Sequence, residues 1–362
     1  MRVLHVVSDL KIGGITRFVE GMVALNDTSE TRHDVLLGTS SPASAPVSQV
    51  VSRYGTVHFI DPRRGAFVKS LAAMRSLERR YDAVLIHTAF PAVVIPLMLS
   101  RKPCLVFQHG MMPGRRSRLS RRLRTWWYSL LPVVLNAKVV CSTTEAYQKM
   151  SGMGVRVRKS AVVIVPFGIT LSPHRSAKIA PAYPGTLTVG MAGRLVKQKR
   201  HELVIRSLVG YDGAMPVRLL IAGEGSLRDE LDQLAASAKS NVTVTFLGDV
   251  PDMNGFYEQI DLLLFPSRNE SFGLVVPEAF DRCVPVAVFN DVGGCLSLIR
   301  DGENGFVMSD GFEGLAGLWK LLDRDRAVLQ SMSCNLENAD LSALSIEGTR
   351  DTLDRIVREM SR

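Results

Sequence analysis

The stretch DLLLFPSRNESFGLVVPEAF, Asp261–Phe280, carries the pattern that decides the fold class. Its first part, Asp261–Phe265, is a short apolar run that predicts a strand, and such runs suit parallel strands covered on both faces. Its last part predicts a helix, in which Pro277 is tolerated because it falls in the first turn. A buried strand that leads through a short loop into a helix is the repeating unit of α/β proteins.

The same alternation of short β-branched runs and helix-length segments continues along the whole chain, which predicts parallel α/β architecture. The predicted strands of the first half are Val3–Ser8, Val35–Gly38, Ala83–His87, Leu105–His109, Val139–Cys141 and Val162–Val165. Those of the second half are Leu187–Met191, Arg218–Ala222, Val242–Leu247, Asp261–Phe265 and Pro285–Phe289.

The two series of strands predict two domains. The segment Thr170–Gly185 is rich in Pro, Ser and Ala, lacks apolar periodicity and is predicted to be a linker. The predicted domains are residues 1–168 and 169–345, and an amphipathic helix over residues 346–362 is expected to pack back on the first domain. Parallel sheets bind ligands at the carboxyl ends of their strands, so the cleft between the domains is the predicted site.

The composition excludes several classes of protein. The chain has 362 residues, which suits two domains, and its five scattered cysteines form no Cys-x-x-Cys pair. Neither a zinc site nor a disulfide framework is therefore indicated, and a reducing cytoplasm fits. The apolar start is too short for a signal peptide, and Ala83–Ser100, interrupted by Pro91 and Pro96, predicts a buried strand and helix rather than a membrane span.

Two features that follow the predicted strand Asp261–Phe265 point to a phosphorylated sugar ligand. The residues from Ser271 to Leu274 would present unpaired N–H groups at a helix N-terminus, which favours a diphosphate. Glu270 and Glu278 are carboxylates that can accept hydrogen bonds from paired sugar hydroxyls. The alternative is that Glu278 only charges the first helical turn and Glu270 is an ordinary loop acid.

A second motif follows the first strand of the second half. In GMAGRLVKQK, Gly190–Lys199, Arg194 and Lys199 come after a tight glycine turn. The two cations can converge on one diphosphate, since arginine offers a bidentate fork and lysine a point charge. The alternative is a solvated basic loop.

Three shorter features carry weaker signals. Gly13-Gly14 lies between the first strand and a helix, and Gly223-Glu224 in AGEG ends another strand, although each also fits an ordinary turn. His109 follows a predicted strand and would lie at the cleft edge, but a lone histidine is more often a hydrogen-bonded structural residue. His5 and His87 also follow apolar residues and rank below His109.

The segment Gly114–Tyr128, GRRSRLSRRLRTWWY, holds much of the net charge of +9. Arginines followed by tryptophans suit the interface of an anionic membrane. The alternatives are nucleic acid, for which no accompanying motif is present, and a solvated Arg-rich helix with packed tryptophans. The predicted membrane-side and acceptor-side residues are Arg115, Arg116, Arg118, Arg121, Arg122, Arg124, Trp126 and Trp127.

The run ESFGLVVPEAF resembles the Glu-x7-Glu signature of the family 4 retaining glycosyltransferases, and GRLVKQK resembles the Gly-Arg-Leu-x-x-x-Lys pattern of the same family. The resemblance implies the GT-B fold, in which two Rossmann-like domains face a central cleft. This chain departs from the family pattern at Arg200, where a glycine is usual after the lysine. It also departs at Phe167, which replaces the asparagine of a Pro-Asn-Gly hinge.

The resemblance also implies roles for individual residues. Glu270 would contact the donor sugar, Glu278 the ribose hydroxyls, and Arg194 and Lys199 the leaving diphosphate. His109 would contact the donor sugar near the reacting carbon. The other donor-binding residues implied are Gly13, Gly14, Gly223, Glu224, Ser271, Phe272, Gly273 and Leu274.

The predicted function is therefore metal-independent, retaining glycosyl transfer. The donor would be a UDP- or GDP-linked sugar and the acceptor a glycan or lipid-linked molecule of polysaccharide or lipopolysaccharide biosynthesis, at the cytoplasmic face of the membrane. No cofactor or metal is expected, because Asp323-Arg324-Asp325 offers only two acids late in a predicted helix. The alternatives are a sugar-nucleotide epimerase of the same fold and a non-catalytic, membrane-associated scaffold with a vestigial nucleotide site.

Overall fold

A computed structural model describes residues 1–7, 13–38, 51–60, 67–88, 91–98, 102–109, 125–126, 129–178 and 185–362. The chain divides into two compact units. The N-terminal unit comprises Met1–Thr170 together with Ser342–Arg362, and the C-terminal unit comprises Leu171–Leu341.

The N-terminal unit is built on a parallel sheet. Its described strands are β1 (Arg2–Val7), β2 (Arg32–Gly38), β3 (Val57–Ile60), β4 (Ala83–Ile86), β5 (Cys104–Gln108), β6 (Ala137–Cys141) and β7 (Val162–Ile164). They pair in the order β3-β2-β1-β4-β5-β6-β7. The helices α1 (Gly14–Ala24), α2 (Phe67–Glu78), α3 (Pro91–Leu97) and α4 (Thr144–Gly152) belong to this unit.

The C-terminal unit repeats the architecture. Its strands are β8 (Leu187–Ala192), β9 (Val217–Ala222), β10 (Val242–Gly248), β11 (Leu262–Phe265), β12 (Val286–Phe289) and β13 (Gly305–Met308), in the parallel order β10-β9-β8-β11-β12-β13. Its helices are α5 (His201–Val209), α6 (Arg228–Ala235), α7 (Met253–Glu258), α8 (Val275–Asp281), α9 (Phe312–Arg324) and α10 (Ala327–Asn338). In both sheets the strand order reverses beside the first strand, as in Rossmann folds. The prediction of two parallel α/β sheets is confirmed.

The C-terminal helix α11 (Ile346–Met360) packs on the N-terminal unit. Its N-cap is Ser345, whose hydroxyl accepts a hydrogen bond from the Gly348 N–H at 2.9 Å. The face predicted to be apolar is buried, and the buried Arg350 guanidinium donates to the Met22 carbonyl at 2.7 Å. Burial of this face, more than helix propensity, holds such a helix in place.

The returning chain is joined to the end of the first sheet by backbone contacts. The Ile169 N–H donates to the Leu344 carbonyl at 2.9 Å, and the Ile346 N–H donates to the Ile169 carbonyl at 2.7 Å. A side chain on the neighbouring Gly168 would overlap the Ser345 carbonyl. The hinge-like sequence VPFGI therefore needs its glycine for a close approach of two backbones.

The structure differs from the sequence-based strands and linker in two respects. The strands β3 and β13 were not predicted; both lie at the edges of their sheets. The predicted linker is attached to the C-terminal unit over its described part, since Ser172 donates from both its N–H and its hydroxyl to Asp281, at 2.9 and 2.6 Å. The composition of this segment is that of a free linker. Composition did not reveal the side-chain hydrogen bonds that fix the segment.

Within the described ranges, no helix combines the length and the apolar character that crossing a bilayer requires. The segment Ala83–Ser100 forms strand β4 and helix α3, as predicted, over the residues that the structure describes.

Gly168→Ala is expected to destabilise the protein by about 1–3 kcal/mol, because the added methyl group forces apart two hydrogen-bonded backbones. Thermal unfolding would measure the loss as a lower midpoint. Gly317→Ala is the matched control: it lies within α9, and no atom stands within 4 Å of the added carbon. That change should stabilise the protein by about 0.5–1 kcal/mol. An unchanged midpoint for Gly168→Ala would contradict the close approach.

Candidate active site

Two loops of the C-terminal unit meet through glycines beside β8. The Gly193 N–H donates to the Ala222 carbonyl at 2.9 Å, and a side chain on Gly223 would overlap the Gly193 carbonyl. Both glycines have positive φ, 142° and 134°. The adjacent Leu195 N–H donates to the Glu224 carbonyl at 2.9 Å. The predicted Gly223-Glu224 turn thus fixes the loop that carries Arg194 and Lys199.

Lys199 and Glu270, 71 residues apart in sequence, are in direct contact. The Lys199 Nζ donates to Glu270 Oε1 at 2.8 Å, and the two side chains are only 18% and 15% exposed. The ammonium also lies 4.9 Å from the centre of the Phe265 ring. Gly193 leaves room for this side chain, since a Cβ there would stand 3.3 Å from the Lys199 Cε. The structure therefore brings two of the predicted site residues together.

The backbone of Glu270 is held by the loop that follows β12. Its N–H donates to the Val292 carbonyl at 2.7 Å, and its carbonyl accepts from the Gly294 N–H at 2.9 Å. A side chain on Gly293, which has a φ of 105°, would overlap the Glu270 carbonyl. The carboxylate is therefore presented from a fixed backbone position.

Arg200 follows Lys199 in a left-handed conformation, with φ of 55°. This conformation costs a side-chain-bearing residue about 1–2 kcal/mol, which explains why glycine suits the position. The Arg200 guanidinium compensates with a bidentate ion pair to Asp291, at 3.0 and 2.7 Å. Arg268 also reaches Asp291, at 2.6 Å, and both arginines reach Asp310.

This Arg–Asp cluster, Arg200, Arg268, Asp291 and Asp310, connects the loops after β8, β11, β12 and β13. Burial opposes ionisation of Asp291, but the hydrogen bonds from both guanidiniums outweigh it and lower the pKa of that carboxyl. The cluster was not predicted, because each of its ion pairs spans at least 23 residues of sequence.

The start of α8 carries the predicted anion-binding backbone. Gly273 has a φ of 71°, and a Cβ there would stand 2.8 Å from Phe265 Cε1, so only glycine fits. Among the described residues, the N–H groups of Gly273 and Leu274 have no hydrogen-bond acceptor. Ser271 and Phe272, which precede them, are buried.

Glu278, inside α8, is oriented by a residue that the sequence did not reveal. The Tyr257 hydroxyl donates to Glu278 Oε2 at 2.8 Å. Tyr257 lies on α7, and a tyrosine on a predicted helix carries no signal until its partner is known. The hydrogen bond fixes the orientation of the carboxylate.

Two other predicted residues of this unit take no part in the Lys199–Glu270 contact. Arg194 is exposed, and its guanidinium has no partner within the described part of the chain. The Glu224 side chain forms an exposed ion pair with Arg228 at 3.1 Å, so only its backbone takes part in the loop contact.

The rejected Asp-x-Asp pair has structural partners. Asp323 Oδ1 accepts from the Tyr211 hydroxyl at 2.9 Å and from the Met215 N–H at 3.0 Å. Asp325 accepts from the Ala327 N–H. No group of three His, Cys, Asp or Glu side chains that could hold a metal ion occurs among the residues described.

Three of the predicted site residues, Gly13, Gly14 and His109, belong to the N-terminal unit. Gly13 is the N-cap of α1, and Gly14 is its first residue. His109 directly follows β5, and its ring packs 5.0 Å from that of Phe167 and 6.3 Å from that of Phe18. Burial lowers the pKa of His109 to about 3, so the imidazole is neutral at physiological pH.

Most of the predicted membrane segment lies outside the described residues. Trp126, which the structure describes, is 61% exposed. The other members named from sequence are outside the described ranges: Arg115, Arg116, Arg118, Arg121, Arg122, Arg124 and Trp127.

Arg200 and Asp291 are expected to be coupled by about 1–3 kcal/mol in a double-mutant cycle of alanine substitutions, because the pair is bidentate and partly buried. Chemical unfolding would measure the coupling. The matched control is the exposed pair Arg206 and Glu202, at 2.9 Å, with an expected coupling below about 0.5 kcal/mol. Equal coupling for the two pairs would show that the Arg–Asp cluster does not stabilise the loops.

Comparison with known proteins assigns this architecture. A family model described as glycosyl transferases group 1 matches residues 175–331, and one described as glycosyltransferase family 4 matches residues 12–172. A D-inositol 3-phosphate glycosyltransferase of Nocardia farcinica is 33% identical over 210 residues, which are 52% of this chain and 46% of that protein. The lipopolysaccharide core biosynthesis mannosyltransferase LpcC of Rhizobium leguminosarum is 33% identical over 141 residues, 36% of this chain and 40% of that protein.

These alignments span less than half the length of the two curated relatives. Solved structures match over more of the chain: HepE of Anabaena with UDP-glucose gives a TM-score of 0.82 at 18% identity, covering 99% of this chain and 100% of that one. WaaG, a glycosyltransferase involved in lipopolysaccharide biosynthesis, gives a TM-score of 0.72 at 16% identity. That match covers 97% of this chain and 99% of the other. The fold is GT-B, and the chain belongs to the family 4 glycosyltransferases.

Proposed function

We propose that this protein is a retaining, metal-independent glycosyltransferase that moves a sugar from a nucleoside-diphosphate sugar to a glycan or lipid-linked acceptor. The observation that carries the proposal is the contact of Lys199 with Glu270 at 2.8 Å, and the loop that holds Lys199 also carries the exposed Arg194. It pairs a cation suited to a diphosphate with a carboxylate suited to sugar hydroxyls.

Relatives and structural neighbours support the substrate classes. Relatives are named for capsular polysaccharide biosynthesis in Staphylococcus aureus and for lipopolysaccharide core biosynthesis in two Rhizobium species. HepE was solved with UDP, UDP-glucose and glucose, and TarM with UDP and an α-GlcNAc-glycerol. A UDP- or GDP-linked donor and an acceptor of cell-envelope polysaccharide or lipopolysaccharide synthesis follow as the proposed substrates.

The proposed donor site uses the groups that the loops hold in place. Arg194 and Lys199 bind the diphosphate, aided by the N–H groups of Gly273 and Leu274. Glu278, oriented by Tyr257, accepts hydrogen bonds from the ribose, and Glu270 accepts from hydroxyls of the donor sugar. Preorganised charges and dipoles of this kind stabilise a departing diphosphate more than they stabilise the bound donor.

In the proposed reaction the bond from the anomeric carbon to the phosphate oxygen breaks, and a new bond forms to the acceptor hydroxyl oxygen on the same face. The departing phosphate takes the hydroxyl proton, so no covalent intermediate with the enzyme is needed. The two cations Arg194 and Lys199 offset the developing negative charge, which is the role that a divalent metal serves in other transferases. His109 is proposed to accept a hydrogen bond from a sugar hydroxyl of the substrates.

Lys199→Ala and Glu270→Ala are each expected to lower kcat/KM for the sugar nucleotide by about 100-fold or more, since each removes a preorganised group at the charge that develops. Initial rates with UDP-, GDP- and ADP-linked sugars would measure the loss and identify the donor. Lys197→Ala is the matched control, because Lys197 lies in the same turn and is exposed.

The same assay separates the proposal from its rivals. Rates that survive EDTA and a product with the donor's anomeric configuration are expected. Conversion of one sugar nucleotide into another without acceptor would favour an epimerase, and an absence of turnover with every donor would favour a non-catalytic scaffold. Unchanged kcat/KM in both variants would rule out the proposed donor site.

We also propose that the protein works at the cytoplasmic face of a membrane, where lipid-linked acceptors are found. The support is the Arg-rich segment Gly114–Tyr128 and the exposed indole of Trp126. Cations attract anionic headgroups, and indole rings favour the interface.

Vesicle sedimentation tests this location. The protein is expected to sediment with phosphatidylglycerol-containing vesicles and to stay in the supernatant with purely zwitterionic ones, because each arginine near an anionic surface contributes about 1 kcal/mol. Replacing the six arginines of the segment by glutamine should abolish sedimentation. Equal sedimentation of the wild type and this variant would remove the segment from the proposal.

A further inference from the structure

Four histidines occupy four neighbouring strands of the N-terminal sheet. His33 lies on β2, His5 on β1, His87 directly after β4 and His109 directly after β5. These strands are adjacent in the order β2-β1-β4-β5. The row therefore runs diagonally across the sheet and ends at the carboxyl edge, where parallel sheets bind ligands.

The four rings form a continuous hydrogen-bonded chain that ends on a carboxylate. Asp354 of α11 lies 3.3 Å from His33 Nε2, and His33 Nδ1 lies 2.7 Å from His5 Nε2. His5 Nδ1 lies 2.9 Å from His87 Nε2, and His87 Nδ1 lies 2.5 Å from His109 Nε2. Each of the three inner histidines uses both ring nitrogens.

The burial of all four imidazoles favours their neutral form. Burial lowers the pKa of each ring, and at His33 it outweighs the hydrogen bond to Asp354, which raises the pKa. The charge of Arg350 lowers the pKa of His5 and His33 further. Arg350 is itself buried, with its guanidinium bonded to the carbonyls of Met22 and Thr31. A neutral imidazole has one N–H and one lone pair, so it donates at one ring nitrogen and accepts at the other.

Asp354 is ionised. Burial opposes its charge, but the hydrogen bond from His33 and the nearby positive charge of Arg350 hold its pKa below the ordinary value. A carboxylate accepts hydrogen bonds and cannot donate. The proton of His33 must therefore be on Nε2, which faces Asp354.

This one requirement fixes every ring in turn. With its proton on Nε2, His33 accepts at Nδ1, so His5 must donate from Nε2. The same step repeats through His87 to His109. The reverse arrangement would place the lone pair of His33 against a carboxylate, which is repulsive.

We propose that Asp354, acting through His33, His5 and His87, fixes His109 in the tautomer that carries its proton on Nε2 and its lone pair on Nδ1. Asp354 and the three inner histidines are positioning residues. Within the described part of the chain, His109 Nδ1 has no hydrogen-bond partner. It is thus available to accept from a hydroxyl; that use rests on the proposed glycosyl transfer, whereas the tautomer does not.

The ring that carries this lone pair is also held in place. It stacks on His87, with ring centres 4.8 Å apart, and lies nearly parallel to Phe107, 11° between planes at 5.4 Å. The aromatic neighbours Phe18, Phe107 and Phe167 present ring faces and edges, not strong donors. The direction of the chain is therefore decided at the Asp354 end.

Nitrogen-15 NMR of the protein with ring-labelled histidine tests the proposal directly. Protonated and unprotonated ring nitrogens of neutral imidazole resonate far apart, so each tautomer is read without an activity assay. The wild type is expected to show His109 protonated on Nε2 and unprotonated on Nδ1, assigned by its loss in His109→Gln. A His109 ring protonated on Nδ1 would overturn the proposal, and this measurement needs no destabilising variant.

Asp354→Asn tests the cause. The amide can either accept from His33 Nε2 or donate to it, so the bias of the chain is expected to be lost and His109 to populate both tautomers. Asp351→Asn is the matched control: it removes the same charge from an exposed site on the same helix and should leave the tautomer unchanged. An unaltered His109 spectrum in folded Asp354→Asn would show that the carboxylate does not set the direction.

Kinetics link the tautomer to the proposed function. Asp354→Asn is expected to lower kcat/KM by up to about tenfold, the value of one lost hydrogen bond, with Asp351→Asn unchanged. The proposed function and the proposed tautomer are refuted by different results. Absence of transfer with every donor would refute the proposed function and leave the tautomer intact, whereas a changed tautomer population with unchanged kcat/KM would refute the role of the lone pair.

Discussion

The reversal of strand order in each sheet brings the residues that follow two neighbouring strands to one edge. Lys199 follows β8 and Glu270 follows β11, the two strands at the reversal of the C-terminal sheet. His5 on β1 and His87 after β4 stand at the same place in the N-terminal sheet. Contacts between residues far apart in sequence, such as the 2.8 Å ion pair of Lys199 and Glu270, depend on this constraint.

The carboxyl edges of the two sheets stabilise their buried polar groups in different ways. The loops of the C-terminal unit keep full charges, and each cation there that is partly buried has a carboxylate beside it, as Arg200 has Asp291. The N-terminal edge instead contains neutral imidazoles that satisfy one another, because an isolated buried charge is far more costly than a hydrogen-bonded neutral group. The C-terminal edge therefore suits an anion, and the N-terminal edge suits hydroxyl groups.

Apolar periodicity was enough to predict the central strands and α11, since those residues are buried on the faces that the pattern marks. It missed β3, in which only Ile60 is buried, and β13, a strand of four residues that begins with a glycine. The motifs named Lys199 and Glu270, but no local pattern reveals Tyr257 beside Glu278 or Asp354 beside His33. Those contacts span 21 and 321 residues, so only the fold creates them. The roles of the site residues stay predictions.

The two departures from the family pattern are each matched by their surroundings. Arg200 lacks the conformational freedom of glycine, but the ion pair of its guanidinium with Asp291 offsets the cost of its left-handed backbone. Phe167 replaces an asparagine, and its ring packs 5.0 Å from that of His109. An asparagine there would bring both a donor and an acceptor to the imidazole and compete for its ring nitrogens. A phenylalanine ring has no strong hydrogen-bond donor or acceptor. In the proposed arrangement the histidine chain alone therefore sets the tautomer of His109. The absence of a polar side chain at position 167 is thus consistent with a His109 tautomer that the histidine chain sets.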